Sequence, residues 1–475
     1  MLRRVILIVL VPLLLAACGS SAPTPTAGRT SPPSPASPGS AVPSGAPGTG
    51  DPATIGAAFI AALSRGDDAA AEGMEDATMR AAAPGPALGR LWAQFVAQYG
   101  AFQAIGTITT TTQAPYTIAA VATQFANSTV TLTVAISGAR QVSGLHVAKV
   151  APASSSPGAS VESSPAAYVN RAAFTETAVT VGSSPWALPG TLSLPNGSGS
   201  FPAVVLVQGS GPSDRDETFG PNKPFRDLAW GLASAGVAVL RYDKRTLVYG
   251  AQMATDTSIT VREETMDDAI AAVALLRQAP GVDPARVFLV GHSLGAYLAP
   301  RIAGQVPGQL AGIAMLEAPS TPLVQLVLVQ AEYLAGLEGS PSPSSDTQLA
   351  ALRAQVALAE SPGLSTSTPA SELPLDTPAS YWLDLRTYDP LSAAAALPVP
   401  MFFSQGGRDY QVPPPELPPW QTALAGHTNA NFRTYPAMDH LLLDGSGPAT
   451  PAEYSLPGHV DAQLVADLAA WIKSH

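Results

Sequence analysis

The sequence has very few of the residues that build metal centres or cross-links. Its one cysteine, Cys18, cannot form a disulfide within the chain. The sequence contains no HExxH motif and no cluster of histidines and cysteines, so neither a metal nor a cofactor is expected. No block of basic residues follows the N-terminus, and the formal net charge is −11. A nucleic-acid partner is therefore not expected.

The sequence also lacks, near its N-terminus, a hydrophobic run long enough to cross a membrane. Arg3 and Arg4 precede the short apolar stretch Val5–Leu15, which Pro12 interrupts. A spanning helix needs about 20 apolar residues, so this layout is typical of an export signal. An uncleaved anchor helix is the alternative interpretation.

The residues that end this stretch indicate lipid modification. Leu15-Ala16-Ala17-Cys18 resembles the bacterial lipobox. The resemblance implies a signal peptide over residues 1–17 and a lipid-modified Cys18 that anchors the exported protein to the outer face of the cell membrane. Residues 18–50 are rich in proline and serine and are predicted to be an extended tether.

A small α+β domain is predicted over residues 51–150. Apolar residues recur at helical spacing after Asp51-Pro52 and again over residues 88–99. The period then changes to two in TIAAVATQF, STVTLTVAIS and QVSGLHVAKV, which predicts three strands. The stretches LWAQFVAQYGAFQAI and VSGLHV resemble NTF2-like domains. His146, in the last strand, is expected to be a structural histidine more than a ligand.

After a polar linker predicted over residues 151–165, strands and helices alternate from residue 166 to the end. The apolar runs AVVLVQGS and VAVLRYD flank the helix FRDLAWGLASAG, and the helix TMDDAIAAVALLRQA precedes the strand RVFLV. Continuous apolar strands are typical of a sheet covered on both faces. Residues 166–475 are therefore predicted to form a mostly parallel sheet flanked by helices.

One pentapeptide lies at a junction of this pattern. Gly291-His292-Ser293-Leu294-Gly295 matches G-x-S-x-G between the strand RVFLV and the helix AYLAPRIAGQ. In the α/β-hydrolase fold this motif forms a strand-to-helix elbow that presents a nucleophilic serine. The sequence thus predicts an α/β-hydrolase fold with Ser293 as the nucleophile.

A serine nucleophile needs a histidine base, and in this fold the chain order is serine, acid, histidine. Four histidines follow Ser293, namely His427, His440, His459 and His475. His440 follows the strand-like NFRTYP and precedes the last helix, where the fold carries its base. We expect His440 to be the base, with His459 as the alternative.

The acid that orients the base is predicted from strand position. Asp409 follows the apolar strand Met401–Ser404, and sites in open α/β sheets lie at the carboxyl ends of strands. The alternative role for Asp409 is to cap the helix after QVPPPEL. Asp439, beside His440, is a competing acid.

An oxyanion hole completes the expected machinery. One donor is expected to be the backbone N–H of Leu294, after the nucleophile. The other is expected from the glycine-containing loop QGSGPSDRD, as the N–H of Ser210 or of Gly211. The sequence does not choose between these two.

A longer stretch carries a family resemblance. VQGSGPSDRDETFGPNKPFRDLAWGLASAGVAVLRYDKR resembles the bacterial secreted α/β-hydrolase family of serine esterases, with its HGSGP, DRD, GPNK and RYDKR signatures. The resemblance covers about 180–320 and 385–475. It implies a carboxylesterase acting on small or medium acyl esters, with Ser293, Asp409 and His440 in the family's catalytic positions.

The same stretch contains one departure and several charges. Gln208 stands where the family often has histidine, which is expected to alter loop packing more than activity. The charged and polar residues of this stretch are expected to form a salt-bridged network that fixes the loop, and the alternative is that they orient the substrate. They are Asp214, Arg215, Asp216, Asn222, Lys223 and the run Tyr242-Asp243-Lys244-Arg245.

Residues 321–395 interrupt the alternation with two amphipathic helices, LVQLVLVQAEYLAGLEG and TQLAALRAQVALAE. An insertion here predicts a cap over the site. Leu326, Tyr333, Tyr381 and Trp382 either line an acyl pocket or form ordinary cap core. Two other functions stay open: a peptidase or amidase with the same triad, and a non-catalytic surface binding lipoprotein on a hydrolase scaffold.

Overall fold

A computed structural model describes residues 50–475, apart from gaps at 83–87, 90–91, 93–94, 97–98, 114–115, 126–127, 153–163, 255 and 338–342. The described residues form two compact units, residues 50–152 and residues 164–475. The predicted signal peptide and tether, including Cys18, lie outside the described residues. Within the described ranges, no helix is long and apolar enough to cross a membrane.

The first unit packs short helices on an antiparallel sheet. The helices are α1 (Pro52–Ser64), α2 (Asp68–Gly73) and α3 (Ala77–Ala82). The strands are β1 (Phe102–Gln113), β2 (Tyr116–Phe125), β3 (Ser128–Ile136) and β4 (Val142–Pro152), in the order β1-β2-β3-β4. Helix α1 begins where predicted, because the Asp51 carboxylate accepts the N–H of Thr54 at 3.0 Å. The α+β prediction is confirmed.

Two details of this unit differ from the prediction. Strand β1 was not predicted, because most of its side chains are exposed or half-buried and it carries threonines where apolar residues would alternate. Strand β4 continues to Pro152, two residues past the predicted end of this domain at residue 150. His146 lies in β4, where its backbone pairs with Thr133 of β3, and the His146 side chain lies outside the described part.

The second unit is built on an eight-stranded sheet in the order β12-β11-β10-β9-β7-β8-β6-β5. Its strands are β5 (Phe174–Val181), β6 (Leu188–Pro195), β7 (Phe201–Val207), β8 (Ala238–Tyr242), β9 (Val282–His292), β10 (Gly312–Leu316), β11 (Met401–Gly406) and β12 (Ala430–Tyr435). Strands β7 to β12 pair in parallel, whereas β6 pairs antiparallel with β5 and β8. The mostly parallel sheet is confirmed.

Helices cover this sheet. They are α4 (Pro224–Ser234), α5 (Arg245–Val248), α6 (Gly250–Met253), α7 (Asp267–Leu276), α8 (Leu294–Gln305), α9 (Leu323–Leu337), α10 (Pro343–Glu360), α11 (Ala379–Arg386), α12 (Pro390–Ala395), α13 (Leu417–Ala423) and α14 (Ala462–Ser474). Neighbouring residues of a strand enter different cores: Val205 and Leu289 belong to one, Val204 and Phe288 to the other. Because side chains alternate along a strand, burial on both faces requires the continuous apolar runs seen in the sequence.

The insertion between β10 and β11 is helical, as predicted, and comprises α9 to α12. An ion pair connects this insertion to the rest of the unit. Arg301 of α8 makes a two-pronged ion pair with Asp384 of α11, at 2.7 and 2.8 Å. A paired guanidinium and carboxylate restrict relative rotation, so this insertion has a defined attachment to the helix that follows Ser293.

Candidate active site

Ser293 lies on a strained turn between β9 and α8. Its φ of 53° and ψ of −114° place a residue with a Cβ in a region that L-amino acids rarely adopt. Its N–H donates to the Leu316 carbonyl at 3.0 Å, which joins the turn to the end of β10. The side chain is half-buried at the carboxyl edge of the sheet. This is the geometry of the predicted elbow.

The two glycines of the pentapeptide are required by close backbone contacts. A Cβ on Gly295 would lie 2.2 Å from the Val207 carbonyl oxygen, and one on Gly291 would lie 2.3 Å from the Gly295 carbonyl oxygen. Both distances are far below van der Waals contact. The motif therefore reflects how tightly the elbow packs against the end of β7.

The structure brings Asp409 and His440 together. Oδ2 of Asp409 lies 2.7 Å from Nδ1 of His440, and the Asp409 side chain is fully buried. Oδ1 of Asp409 accepts the N–H groups of Gln411 at 2.7 Å and Val412 at 2.8 Å. The carboxylate thus closes a turn after β11 and does not cap α13, which begins several residues later at Leu417.

His440 lies beside the elbow. Its carbonyl oxygen is 2.8 Å from Nε2 of His292, the residue directly before Ser293, and the two imidazole rings are 4.8 Å apart between centroids. The alternative base, His459, instead bonds through Nδ1 to Asp227 of α4 at 2.8 Å. The competing acid, Asp439, is turned towards its own loop.

Asp439 shapes the segment that carries His440. Its Oδ1 accepts the N–H groups of Leu441 at 2.9 Å and Leu443 at 3.1 Å. Burial raises the pKa of this carboxyl group to about 7, against the two hydrogen bonds, which lower it. Asp439 is therefore a loop-forming residue whose charge is costly at neutral pH.

The loop after β7 crosses directly over the nucleophile. A Cβ on Gly209 would lie 3.3 Å from the Cβ of Ser293. The Gly209 N–H is occupied, since it donates to Glu217 at 2.7 Å, and the Gly209 carbonyl accepts from Lys244 at 2.7 Å. The backbone N–H groups of the next two residues, Ser210 and Gly211, therefore remain the two candidates for the second oxyanion donor. The first candidate donor is the N–H of Leu294, at the start of α8.

The charged residues of this region form the expected network. Arg215 pairs with Asp243 at 2.8 Å, and Asp216 bonds both Lys223 and Arg241 at 2.9 Å. Asn222 donates to the carbonyl of Tyr454 at 2.9 Å and accepts from Gly458 at 2.8 Å. Lys244 also pairs with Glu264 at 2.7 Å, and Arg245 pairs with Asp268. These contacts fix the loop, as the favoured interpretation holds.

Gln208 takes part in packing, in line with the expectation for this position. It is buried and donates from Nε2 to the carbonyl oxygen of Tyr242, at the end of β8. A histidine at this position would have to satisfy that carbonyl with a ring N–H. The side chain therefore ties the start of the loop to the neighbouring strand.

The cap residues that were candidates for an acyl pocket are engaged in structural contacts. Tyr381 donates to Glu264 at 2.6 Å, and Tyr333 donates to the carbonyl of Ala449 at 2.9 Å. Trp382 and Leu326 are buried, and Trp382 belongs to the main core. Helix α9 also contacts the acid loop. There, Gln330 donates to the carbonyl of Gln411 at 2.9 Å.

Three functional candidates at this edge of the sheet were not predicted. Glu217, His292 and Glu317 are all buried within reach of the residues above. Glu217 and Glu317 have positive φ angles of 51°, like Ser293 at 53°. Backbone strain of this kind concentrates at functional sites. One signal existed for Glu317, because it directly follows the apolar strand β10 just as Asp409 comes soon after β11.

The family follows from the sequence match together with this fold. A model of the alpha/beta hydrolase family matches residues 204–455, more than half of the chain. The chain belongs to the alpha/beta hydrolase family. A second family model, described as a protein of unknown function (DUF3887), matches residues 57–145 in the first unit.

Particular relatives are esterases. The chain is 40% identical over 307 residues to Esterase EstD of Thermotoga maritima, covering 64% of this chain and 69% of that protein. A solved esterase of Pyrococcus furiosus is 16% identical, with a TM-score of 0.41, over 63% of this chain and 91% of the other. A solved esterase of Pyrobaculum calidifontis is 15% identical, with a TM-score of 0.40, over 63% and 85%.

Proposed function

We propose that this protein is a serine carboxylesterase that cleaves small or medium acyl esters. The observation that carries the proposal is the buried Asp409–His440 hydrogen bond of 2.7 Å, located beside the strained elbow of Ser293. The 40% identity to Esterase EstD supports the same reaction class. Nucleophilic acyl transfer requires a serine nucleophile, a histidine base and a buried acid that orients the histidine.

In the first step, His440 accepts the hydroxyl proton of Ser293 through Nε2 while Oγ attacks the ester carbonyl carbon. Asp409, hydrogen-bonded to Nδ1–H, holds the reactive tautomer and stabilises the imidazolium that forms. The carbonyl oxygen becomes an oxyanion. The N–H of Leu294 and one N–H of Ser210 or Gly211 would stabilise that charge, each by about 2.7–4 kcal/mol.

In the second step the C–O bond to the alcohol breaks, and His440 returns the proton to the departing oxygen. The acyl group stays on Ser293 as an ester. A water molecule then gives its proton to His440, attacks the acyl carbon, and regenerates the Ser293 hydroxyl with release of the carboxylic acid. The proton balance closes without any further reactant.

We also propose that the mature protein is held at the outer face of the cell membrane by lipid on Cys18. The support is the Leu15-Ala16-Ala17-Cys18 sequence after a basic start and a short apolar run. Membrane fractions should contain the wild-type protein, and C18S should be found in soluble fractions. Equal membrane binding of both forms would contradict the lipid anchor.

The catalytic proposal is tested by labelling the full-length protein with a fluorophosphonate and locating the adduct by peptide mass spectrometry. The adduct is expected on Ser293 and should be lost in H440Q. A panel of p-nitrophenyl esters and matched anilides then compares ester with amide cleavage. No adduct on folded protein would favour the binding-lipoprotein hypothesis, and faster anilide cleavage would favour the amidase hypothesis.

A further inference from the structure

A chain of buried hydrogen bonds at the site has no part in the mechanism above. Glu217 Oε1 accepts the Gly209 N–H at 2.7 Å and lies 3.1 Å from Nδ1 of His292. The other ring nitrogen of His292, Nε2, lies 2.8 Å from the His440 carbonyl oxygen. Only 3% of His292 and 9% of Glu217 is exposed. Three separate loops are therefore linked through one histidine–carboxylate pair.

Hydrogen-bond accounting constrains the proton positions in this pair. A carbonyl oxygen only accepts, so Nε2 of His292 must carry a hydrogen towards His440. Oε1 of Glu217 already accepts from a backbone N–H. An ionised carboxylate can only accept hydrogen bonds, so Nδ1 of His292 must carry a hydrogen to bond with it. With Glu217 ionised, both ring nitrogens carry hydrogen, and the pair is a His292 imidazolium with a Glu217 carboxylate.

The electrostatic surroundings favour that charged form. Burial is the largest single influence and lowers the pKa of His292, but the net shift is upward, with the Glu217 charge and hydrogen bond the first of the causes that raise it. The His440 carbonyl and the Asp409 charge add to the rise. The titratable groups that face His292 are Glu217 from the loop after β7, Asp409 from the loop after β11, and His440 from the loop after β12, whose ring centroid lies 4.8 Å away.

Both the N–H and the carbonyl oxygen of Gly209 are hydrogen-bonded to charged side chains. Glu217 binds its N–H, and Lys244 binds its carbonyl oxygen at 2.7 Å while pairing with Glu264 at 2.7 Å. A carboxylate and an ammonium at opposite poles leave this backbone little freedom. Since Gly209 passes over Ser293, its placement sets where the next N–H groups of the loop point.

We propose that Glu217 and His292 are a positioning pair that aligns the oxyanion loop and the base-bearing loop with the elbow. The proposal rests on the proposed function, because alignment matters only if Ser293, His440 and the loop N–H groups react together. Glu217 positions Gly209 over Ser293 through the Gly209 N–H, and His292 positions the His440 backbone through its carbonyl oxygen. The Glu217–His292 ion pair joins these two contacts, so its loss loosens the alignment of the two loops with each other.

Steady-state kinetics on p-nitrophenyl butyrate test this with H292Q and E217Q, measured on the full-length protein. In E217Q the side-chain amide oxygen would still accept from Gly209, and a neutral contact would replace the ion pair. A displacement of about 1 Å in reacting groups costs up to about 100-fold. We expect kcat to fall by about 10- to 100-fold in each variant with KM changed less than about threefold.

His459 offers a matched control, because it also pairs through Nδ1 with a buried carboxylate, Asp227, at 2.8 Å. H459Q should keep kcat within about twofold of wild type. If H292Q and E217Q fold with the wild-type thermal transition and both keep kcat within about twofold, the positioning role is overturned.

A spectroscopic readout does not depend on catalysis. Long-range proton–nitrogen NMR of ¹⁵N-histidine protein at pH 7 distinguishes imidazolium from neutral imidazole, and the chain has six histidines. One buried histidine, absent in H292Q, should show both nitrogens protonated. A neutral His292 would overturn the ion pair. Turnover that survives in S293A would instead contradict the proposed function, leaving the NMR result to decide the pair.

Discussion

Glu317 and Asp409 are two buried carboxyl groups that interact at the carboxyl edge of the sheet. Glu317 is fully buried after β10, and its oxygens also accept the Gly406 N–H at 3.0 and 2.8 Å. Two buried carboxyls in contact cannot both be ionised at ordinary pH. Burial first, and the Asp409 charge next, raise the pKa of Glu317 well above its usual range. Glu317 therefore donates a hydrogen bond to the acid that orients His440.

The protonated state of Glu317 predicts different outcomes for two substitutions. In E317Q an amide N–H replaces the acid O–H towards Asp409, so kcat should stay within about tenfold of wild type. In E317A the Gly406 N–H loses its acceptor, which should lower the free energy of unfolding by about 1–3 kcal/mol, before any cavity cost. Urea unfolding and steady-state kinetics measure both effects. Equal loss in the two variants would contradict a donor role.

The pH dependence of that contribution has a defined sign. A carboxyl whose pKa is raised on folding stabilises the native state at low pH and loses this contribution as pH rises through the folded-state pKa. Glu317 therefore makes the fold less stable as the pH rises above the usual glutamate pKa of 4.5. E317Q should make the free energy of unfolding less dependent on pH over that range, which urea unfolding at several pH values measures.

Removal of the nucleophile should abolish turnover without loss of the fold. S293A is expected to lower kcat on p-nitrophenyl butyrate by about a million-fold, because the members of a catalytic triad act as a unit. Alanine also keeps the Cβ that already occupies the strained φ of 53°. The thermal transition should be unchanged within a few degrees. Substantial turnover in S293A would assign the activity to another residue.

The two candidate bases can be separated with matched variants. His440 meets Asp409, whereas His459 meets Asp227, both through Nδ1. H440Q should lower kcat by at least about 10,000-fold, and H459Q should leave kcat within about twofold. Kinetics on a single ester substrate suffices. Similar losses in both variants would show that His459 also serves the reaction.

Asp439 predicts a pH-dependent stability that an isosteric variant removes. Its pKa is about 7 in the fold against 3.8 unperturbed, so its contribution falls as pH rises from about 4 to about 7. Each pKa unit is worth about 1.4 kcal/mol, so wild type should lose as much as about 4 kcal/mol relative to D439N. In D439N the side-chain amide keeps an oxygen for the Leu441 and Leu443 N–H groups.

Denaturant unfolding of wild type and D439N at about pH 4 and about pH 8 measures that difference. The comparison between variants cancels the pH dependence of every other group. Parallel stability profiles for the two proteins would show that Asp439 is ionised without cost.

The elbow predicts opposite effects for two glycines on α8. A Cβ at Gly295 would lie 2.2 Å from the Val207 carbonyl oxygen, whereas a Cβ at Gly304 meets nothing within 4 Å. G295A should therefore destabilise the fold and displace Ser293. G304A should stabilise it by about 0.5–1 kcal/mol through helix propensity. Thermal unfolding measures both, and a harmless G295A would contradict the close packing of the elbow.

The parts of the site that sequence reasoning reached share one property. Ser293 and Asp409 follow apolar strands, and His440 follows the strand β12. In a parallel sheet the carboxyl ends of strands meet at one edge, so order along the chain predicts proximity. The glycine pattern around Ser293 added a local signal, because only a turn with close backbone contacts requires it.

The residues that escaped prediction depend on contacts between distant segments. His292 is 75 residues from Glu217 and 148 from His440, and Glu317 is 89 from Gly406. No periodicity or motif encodes such separations. Strand β1 escaped for a different reason, because its largely exposed, threonine-rich sequence lacks the apolar alternation by which strands are recognised.

By itself, the sequence determined the α/β-hydrolase class, the order of strands and helices, the cap insertion and the elbow, since each rests on local spacing of apolar residues and glycines. Only the tertiary structure decided that Asp409 meets His440 and not His459, and that the buried carboxyl groups of Glu317 and Asp409 interact. It also decided that His292 bridges Glu217 to His440. Those relationships arise when packing closes distances that the chain leaves open, and burial then forces every polar group there to find a partner.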